Sequence, residues 1–152
     1  LNIFKKIIAQ SKGNQKVLIK DEGYTYANFF EDTKKYYDYF KKNLKKGDVI
    51  TTNLNYSRYY LSIIFAAFKN RNVLTFINPN APLNEKKFII KNSGCKLFIT
   101  NNKLKNKKYK NLDNFYLYFF KRKKKTIIKK GDIFIIYTSG TTSKPKGVVL
   151  TQ

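Results

Sequence analysis

The sequence predicts an α/β domain built on parallel βαβ units. Three short segments rich in β-branched and aromatic residues have the composition of strands: 49–53, 73–77 and 96–100. Helical patterns at residues 57–68 and 83–92 separate them. Strands and helices that alternate in this way form parallel pairs with right-handed crossovers. A fourth strand candidate, residues 133–137, leads into a polar loop at 138–147, after which β character resumes.

The region before the first parallel strand predicts two helices and a short hairpin. Apolar residues recur at helical spacing within residues 2–10. Val17–Ile19 and residues 24–26 indicate two short strands around a turn. Residues 27–44 place apolar side chains on one helical face and lysines at the C-terminal end, where cations suit the helix dipole. Gly47 is expected to end that helix.

Within the alternating region, single residues mark the ends of the helices. Ser57 is of the type that caps a helix N-terminus, and Gly94 is placed to end the helix that begins at Leu83. Residues 101–114 are rich in Lys and Asn, which predicts a surface loop. The aromatic run at 115–120 predicts a buried strand, and the basic block at 121–125 predicts a solvated loop.

The composition excludes several kinds of catalytic site. The chain has 152 residues, enough for one domain, and 42% of them are hydrophobic, enough for a core. It contains no His, so a Ser-His-Asp triad, a Cys-His pair and an imidazole metal ligand are all excluded. Cys95 is the only cysteine and can form neither an internal disulfide nor a zinc site by itself. We expect Cys95 to be a small buried residue.

The formal charge of +23 raises the question of a nucleic-acid partner. Of the 32 basic residues, 29 are Lys. Sequence-specific contacts to bases and bidentate hydrogen bonds to phosphates are made preferentially by Arg. The lysines are spread along the whole chain, which favours a solvated surface and no specific nucleic acid. A non-catalytic protein that binds acidic polymers or RNA stays open as an alternative and predicts binding that falls steeply with salt.

The ends of the sequence predict a fragment. The first residue is Leu, Met is absent, and the last residues follow directly on the polar loop inside a strand pattern. The longest mostly apolar stretch, residues 59–68, has about half of the ~20 residues that a membrane-spanning helix needs. No transmembrane segment is therefore expected.

The polar loop at residues 138–147 has the chemistry of a phosphate-binding loop. Five of its first six residues are hydroxylic, and it contains two glycines and two lysines. Glycine lets backbone N–H groups approach an anion, hydroxyls donate to phosphate oxygens, and lysines supply positive charge. An exposed polar turn between two strands is the alternative. The loop is not a P-loop, because Pro145 stands five residues after Gly140, where that pattern requires Gly.

Residues 137–148, YTSGTTSKPKGV, closely resemble the signature loop of the adenylate-forming (AMP-binding) superfamily, approximately Y-T-S-G-[ST]-T-G-x-P-K-G-V. Only Ser143 departs from the pattern, at a position where the family usually has Gly. Earlier segments are similar to other parts of the family, in the same order: 24–29, 46–50, 65–79 and 93–100. Arg71 stands where the family usually has Gly, and Cys95 where Ala is common.

The resemblance implies that residues 1–152 are the incomplete N-terminal portion of an AMP-binding (adenylation) domain. The expected fold is the N-terminal part of the large domain, with the parallel βαβ units followed by a strand, the phosphate loop and a strand. The family's aromatic-Gly-x-Thr-Glu segment, its ribose-binding acidic residue and its C-terminal lid domain with a catalytic Lys are absent from these residues. The fragment by itself is therefore expected to be inactive.

The resemblance also implies an activity for the parent enzyme. Such enzymes are AMP-forming acid–thiol ligases, in which a carboxylic acid reacts with ATP to give an acyl-adenylate and pyrophosphate. A thiol, of CoA or of a carrier protein's pantetheine, then takes the acyl group. The implied cofactors are ATP, Mg²⁺ and CoA, the implied substrate is a small carboxylic acid, and the expected location is cytoplasmic.

The resemblance assigns the ATP phosphates to the loop. Thr138, Ser139, Gly140, Thr141 and Thr142 would hold the departing β- and γ-phosphates, and Lys146 would help to neutralise them. Ser143 and Gly147 complete the implied phosphate-binding set. Lys144 occupies a variable family position and is expected to be solvated. No catalytic residue and no protein ligand to a metal is expected in the fragment.

The branch of the superfamily is predicted from one short segment. Ile77-Asn78-Pro79 is similar to the V-N-P of many acyl- and aryl-CoA ligases, which favours an acyl-CoA synthetase of the kind that serves fatty acid metabolism. Peptide-synthetase adenylation domains more often read P-I-D-P there. An adenylation domain of a nonribosomal peptide synthetase, a carrier-protein ligase and a decayed gene fragment without function stay open.

Overall fold

The computed structural model describes residues 17–19, 23–55, 57–121, 128–129, 131–138 and 145–151. The helix predicted within residues 2–10 lies outside the described residues, as do residues 122–125 of the basic block. The described residues contain no helix with both the length and the apolar character needed to cross a membrane.

Nine strands and three helices are formed by the described residues. The strands are β1 (Val17–Ile19), β2 (Tyr24–Thr25), β3 (Val49–Thr52), β4 (Val73–Phe76), β5 (Cys95–Thr100), β6 (Lys110–Leu112), β7 (Phe115–Phe119), β8 (Asp132–Thr138) and β9 (Lys146–Thr151). The helices are α1 (Tyr26–Asn43), α2 (Arg58–Lys69) and α3 (Leu83–Asn92). They separate into two compact units, the first with β1, β2, α1 and α2 and the second with the other strands and α3.

The first unit combines an antiparallel hairpin of β1 and β2 with helices α1 and α2. Helix α1 buries Phe29, Tyr36 and Phe40, which recur at helical spacing as expected from an amphipathic pattern. The ring of Phe29 meets that of Phe65 of α2 edge to face, with centroids 5.2 Å apart. Aromatic packing of this kind holds the two helices together.

A buried polar network in the same unit centres on Tyr24. Its hydroxyl donates to Oδ2 of Asp32 at 2.9 Å and shares a hydrogen bond with Oγ of Ser62 at 3.0 Å. Burial raises the pKa of the Tyr24 phenol well above its ordinary value, so the hydroxyl keeps its proton at physiological pH. The network satisfies polar groups that would be costly to bury alone.

The start of α1 differs from the sequence prediction. Tyr26, predicted as the end of a strand, is instead the first residue of the helix. The backbone N–H of Asn28 donates to Oγ1 of Thr25 at 3.2 Å, and the N–H of Thr25 donates to Oδ1 of Asn28 at 3.0 Å. This reciprocal pair has the form of a capping box, and it fixes the helix start directly after Thr25.

The predicted side-chain cap of α2 is wrong. Ser57 occupies the N-cap position, but its side chain makes no capping hydrogen bond. Its Oγ is buried and has no partner among the described residues. The backbone carbonyl of Ser57 accepts instead from the N–H of Tyr60 at 2.9 Å, so backbone bonding alone begins the helix.

The second unit is a seven-stranded mixed sheet of order β6-β7-β5-β3-β4-β8-β9. Strands β5, β3, β4 and β8 are parallel neighbours, whereas β7, β6 and β9 pair antiparallel at the two sides. The predicted βαβ architecture is therefore confirmed. Every residue of β3 is buried, as expected for a central parallel strand.

One core cluster of the sheet unit joins α3 to the sheet. Its buried members are Ile77, Ile89, Cys95, Phe98 and Tyr118, and Leu104 and Tyr137 are among the partly buried residues packed against it. Helix α3 begins and ends at the predicted residues, and Gly94 follows it with a positive φ of 68°. Gly adopts such a φ without the steric strain that a side chain would add, which explains why the chain turns there into β5.

The predicted loop at residues 101–114 contains a strand that the sequence did not reveal. Lys110–Leu112 forms β6, which pairs antiparallel with β7 in the register Lys110 opposite Leu117. Lys, Asn and Leu have no strong β preference, so the strand depends on the partner that the fold provides. The neighbouring prediction of a strand at 115–120 is confirmed as Phe115–Phe119.

Cys95 is buried as predicted, with 3% of its surface exposed, at the start of β5. Burial raises the pKa of its thiol from 9.0 to about 12. The thiolate, which is the reactive form, is therefore scarce at neutral pH, and the sulfur is also shielded from reagents.

We expect a water-soluble thiol reagent to label Cys95 at pH 8 only as fast as the protein opens, and far more slowly than in urea. Because the pKa is higher in the folded state, the unfolded state loses its proton first as pH rises through about 9. Stability should therefore fall with pH above that value, and Cys95→Ala should remove this part of the loss. Labelling of the native protein as fast as of the unfolded protein would contradict the assignment.

Candidate functional site

The residues predicted to bind phosphate lie where β8 turns back into β9. The two strands are antiparallel, and Thr138 pairs with Lys146 at the end of the ladder. Residues 139–144 connect this pair and lie outside the described residues. The structure therefore brings together Thr138, Lys146 and Gly147, and it leaves the predicted roles of Ser139, Gly140, Thr141, Thr142 and Ser143 as predictions.

The sheet determines where this hairpin end is placed. Strand β8 runs parallel to β4, so its carboxyl end lies at the same edge of the sheet as the carboxyl ends of β3, β4 and β5. Open α/β sheets bind their ligands outside this edge. Thr138 and Lys146 are exposed there, so a hydroxyl and an ammonium group are available to a ligand.

Contacts with β4 hold β8 in register. Leu74 pairs with Phe134, and the rings of Phe76 and Phe134 lie 5.6 Å apart. The buried hydroxyl of Thr75 donates to the backbone carbonyl of Ile135. Ile135 is itself buried in a cluster with Val49 and Val73. The strand that carries the loop is therefore fixed from its middle by packing and by a buried hydrogen bond.

Tyr137, the residue before Thr138, links the hairpin to α3. Its hydroxyl donates to Oδ1 of Asn92, the last residue of α3, at 2.7 Å. Its ring packs against the core clusters around Ile77 and Ile135. Burial raises the pKa of the phenol to about 12, so the group remains a hydrogen-bond donor at physiological pH.

Gly147 lies directly opposite Tyr137 in the ladder, and its missing side chain makes room for the tyrosine ring. A Cβ at this position would lie 3.1 Å from Cζ and 3.2 Å from Cε1 of Tyr137, and 3.3 Å from Cγ2 of Ile135. These distances are shorter than an ordinary contact. A side chain at Gly147 would therefore require the Tyr137 ring or the Ile135 side chain to shift by a few tenths of an ångström.

The electrostatics of the hairpin end favour an anion. Asp132 is the only acidic residue in β8 and β9, and it lies at the far end of the ladder from Thr138. Its Oδ2 accepts from the backbone N–H of Lys129 at 2.6 Å. Lys146 is exposed, and its own strand carries no acidic side chain.

Metal ligands do not converge in the part of the chain that the structure describes. Within those ranges no group of three or more His, Cys, Asp or Glu side chains is placed to hold an ion.

A cavity of about 380 Å³ lies in the loop after β5 and is separate from the hairpin. It is lined by residues 103–108, four of which are lysines. The described members of the predicted phosphate-binding set, Thr138, Lys146 and Gly147, do not line this cavity. Its lysine side chains are exposed, as predicted for a solvated Lys-rich surface.

Curated relatives share part of the sequence. The chain is 29% identical over 122 residues to tyrocidine synthase 3 from Brevibacillus parabrevis, covering 72% of this chain and 2% of that protein. It is 33% identical over 95 residues to zwittermicin A synthase ZmaJ from Bacillus cereus, covering 57% of this chain and 18% of that protein. The chain thus spans only a small part of the curated relatives it matches.

Solved structures share the fold. An o-succinylbenzoate CoA synthetase from Bacillus subtilis, solved with an acyl-adenylate intermediate, superimposes with a TM-score of 0.63 at 22% identity, covering 84% of this chain and 36% of that chain. The N-terminal domain of FACL13 from Mycobacterium tuberculosis superimposes with a TM-score of 0.61 at 21% sequence identity, covering 84% of this chain and 37% of that chain. The N-terminal subdomain of NpsA from Klebsiella oxytoca superimposes with a TM-score of 0.60 at 20% sequence identity, covering 84% of this chain and 33% of that chain.

The family model described as "AMP-binding enzyme" matches residues 4–152, almost the entire chain. It includes the hairpin, the loop between β8 and β9, and the parallel strands that position them. Family, fold and the residues at the carboxyl edge of the sheet therefore agree, and the chain belongs to the AMP-binding enzyme family of adenylate-forming enzymes.

Proposed function

We propose that this chain supplies the ATP phosphate-binding part of an AMP-forming enzyme that activates a carboxylic acid. The observation that carries the proposal is the exposed pair Thr138 and Lys146, which closes the signature loop at the carboxyl edge of the sheet. Membership of the AMP-binding family implies the use of ATP. The pair brings a hydroxyl donor and a positive charge to the point where the loop begins and ends.

The proposed reaction has two steps, and in the second the thiol proton is released to solvent. A carboxylate oxygen attacks the α-phosphorus of ATP, and the bond to the bridging oxygen breaks, so that pyrophosphate leaves with the electron pair. A thiol sulfur then attacks the acyl carbon, loses its proton, and AMP leaves. Nucleotidyl transfer is promoted mainly by positioning and by neutralising charge on the leaving group.

In this scheme the described residues act on the leaving pyrophosphate. The Thr138 hydroxyl donates to a phosphate oxygen, and the Lys146 ammonium offsets the negative charge that grows as the bond breaks. Ser139, Gly140, Thr141, Thr142 and Ser143 are proposed to add hydroxyl and backbone donors, and Gly147 allows the hairpin to close on Tyr137. Mg²⁺ supplies further charge neutralisation when it is bound with the nucleotide.

The acceptor thiol distinguishes two candidate branches. The segment Ile77-Asn78-Pro79 favours an acyl-CoA ligase, for which CoA is the acceptor. Oδ1 of Asn78 accepts from the backbone N–H of Asn80 at 2.9 Å, a local turn that Asp forms equally well. The Asn in place of Asp is therefore weak support for this branch.

A second candidate is the adenylation domain of a nonribosomal peptide synthetase or a carrier-protein ligase. The two curated relatives are named as synthases of tyrocidine and zwittermicin A, and they favour this branch. Solved neighbours include CoA synthetases and an NpsA–ThdA fusion described as an adenylation–PCP di-domain, so the fold is compatible with either acceptor. Thioester formation assayed separately with CoA and with a pantetheinylated carrier protein decides between the two.

We further propose that residues 1–152 are the N-terminal portion of a longer adenylation domain. The chain covers 33–37% of the three solved chains described above. The adenine and ribose sites and the C-terminal lid would then be supplied by other residues of the parent. A cytoplasmic location is proposed because ATP and CoA are both available there.

The 152-residue chain alone should show no carboxylate-dependent exchange of pyrophosphate into ATP, because it lacks the nucleotide-binding and lid segments of the family. The full-length parent should show exchange with at least one member of a panel of aliphatic, aromatic and amino acids. Exchange by the isolated chain would contradict the proposed division of the site. If the parent instead bound RNA with a steep salt dependence and gave no exchange, the non-catalytic alternative would be supported.

Replacing Lys146 should damage the full-length enzyme far more than replacing Lys144. Lys146→Ala removes one charge directed at phosphate and is expected to lower pyrophosphate exchange on the order of 10²–10³-fold, like the loss of one preorganised donor. Lys144→Ala is the matched control and should cost little, as for a solvated side chain. The measurement is ATP–pyrophosphate exchange at saturating carboxylate.

Ser143→Gly restores the residue usual in the family and should change the exchange rate only a few-fold. A rise of orders of magnitude would indicate that the parent is a degenerate member of the family. If Lys144→Ala proved more damaging than Lys146→Ala, the assignment of the phosphate-binding lysine would be wrong.

A further inference from the structure

We propose that Tyr137 and Asn92 are positioning residues for the phosphate loop, and that the hydrogen bond between them fixes the point where the loop leaves the sheet. The inference rests on the proposed function of the loop. Neither residue is proposed to touch the nucleotide. Asn92 lies 45 residues before Tyr137 and outside the signature motif.

The position of the tyrosine ring links the two ends of the loop. Tyr137 precedes Thr138, the first residue of the phosphate-binding set, and lies opposite Gly147, the last. A Cβ on Gly147 would lie only 3.1 Å from Cζ of the ring, so the ring occupies the space above the backbone of β9. Any swing of the ring therefore acts on both ends of the loop together.

Two kinds of contact hold the ring. The ring packs against the core clusters around Ile77 and Ile135, and Gly147 leaves room for it on the side of β9. Its hydroxyl end is held by a donated hydrogen bond to Oδ1 of Asn92 at 2.7 Å. Asn92 is the last residue of α3, and that helix is anchored by buried Ile89 in a cluster with Phe98 and Tyr118. The hydrogen bond thereby connects the ring to a helix that is packed into the core of the sheet unit.

The chemical state of the pair is the same across the working pH range. The phenol remains protonated there, because burial raises its pKa to about 12. The amide oxygen of Asn92 is a neutral acceptor with no charge to titrate. The Tyr137–Asn92 hydrogen bond is therefore independent of pH between about 6 and 9, unlike an ion pair.

The test compares four variants of the full-length enzyme with two matched controls. Tyr137→Phe and Asn92→Ala each remove one side of the hydrogen bond, and the third variant combines both changes. Asn92→Asp is the fourth and keeps an acceptor for the phenol. The controls are Tyr116→Phe, which alters a tyrosine packed against the same cluster, and Asn84→Ala, which alters an exposed residue at the other end of α3.

We expect each single removal to raise the KM for ATP by about three- to tenfold, the equivalent of one neutral hydrogen bond. The KM for the carboxylate should stay within about twofold, because Thr138 and Lys146 are proposed to act on the phosphates of ATP. The double variant should be no worse than either single one, since both changes break the same bond. Asn92→Asp should stay close to the wild type, and the size of the effect should not change with pH.

Hydrogen exchange provides a readout that does not depend on activity. The amides of Thr138, Lys146 and Gly147 should exchange faster in Tyr137→Phe and in Asn92→Ala, while amides in β3 and β5 keep their wild-type rates. Gly147→Ala should disturb the same three amides, because its added methyl group displaces the ring. The controls should leave these rates unchanged.

The outcomes separate this inference from the proposed function. If the wild-type enzyme shows no ATP-dependent exchange, the proposed function fails, and hydrogen exchange still decides whether the bond positions the hairpin end. The inference is overturned if the amide rates and the KM for ATP stay at wild-type values in both single variants. It is also overturned if the KM values for ATP and carboxylate rise equally, or if the double variant shows the sum of two independent losses.

Discussion

The parallel pairing of β8 with β4 is the constraint on which the candidate site depends. It sets the register of β8 through the pair Leu74 and Phe134, and the buried Thr75 hydroxyl reinforces it on the carbonyl of Ile135. Because β8 is thereby parallel to β3, β4 and β5, its last residue reaches the carboxyl edge of the sheet, where ligands bind. Among the described strands β9 is hydrogen-bonded to β8 alone, so the β8–β4 pairing supports both strands that flank the phosphate loop.

Much of the fold follows from local sequence patterns. Helix α3 begins and ends at the predicted residues because Pro82 precedes it and Gly94 follows its C-cap. The central strands are short runs rich in β-branched and aromatic residues. The sequence-based predictions fail where contacts with distant parts of the chain determine the local structure. Strand β6 forms from Lys, Asn and Leu only because β7 offers a free edge, and Ser57 begins a helix without using its hydroxyl.

The site was predictable only in part, for a related reason. By residue type, the hydroxyl-rich loop with its two lysines and its glycines fits either a phosphate-binding loop or an exposed polar turn, and only the resemblance of residues 137–148 to the family motif favours the first. The contacts that support the loop carry no such signal. Asn92 ends a helix 45 residues before Tyr137, and no local pattern marks it as a partner of that phenol. The reason for Gly147 is likewise visible only once the cross-strand register places the tyrosine ring above it.

The central claim is that the hairpin end binds the β- and γ-phosphates of ATP, and differential binding tests it most directly. Equilibrium affinities of the full-length protein and of its Lys146→Ala variant should be measured for ATP and for an acyl-sulfamoyl adenosine, an analogue of the acyl-adenylate without β- and γ-phosphates. The account predicts that the substitution raises the Kd for ATP by about tenfold or more, because a charged contact is lost, and leaves the Kd for the analogue unchanged. Equal weakening of both ligands, or of neither, would contradict the assignment of this lysine to the leaving phosphates.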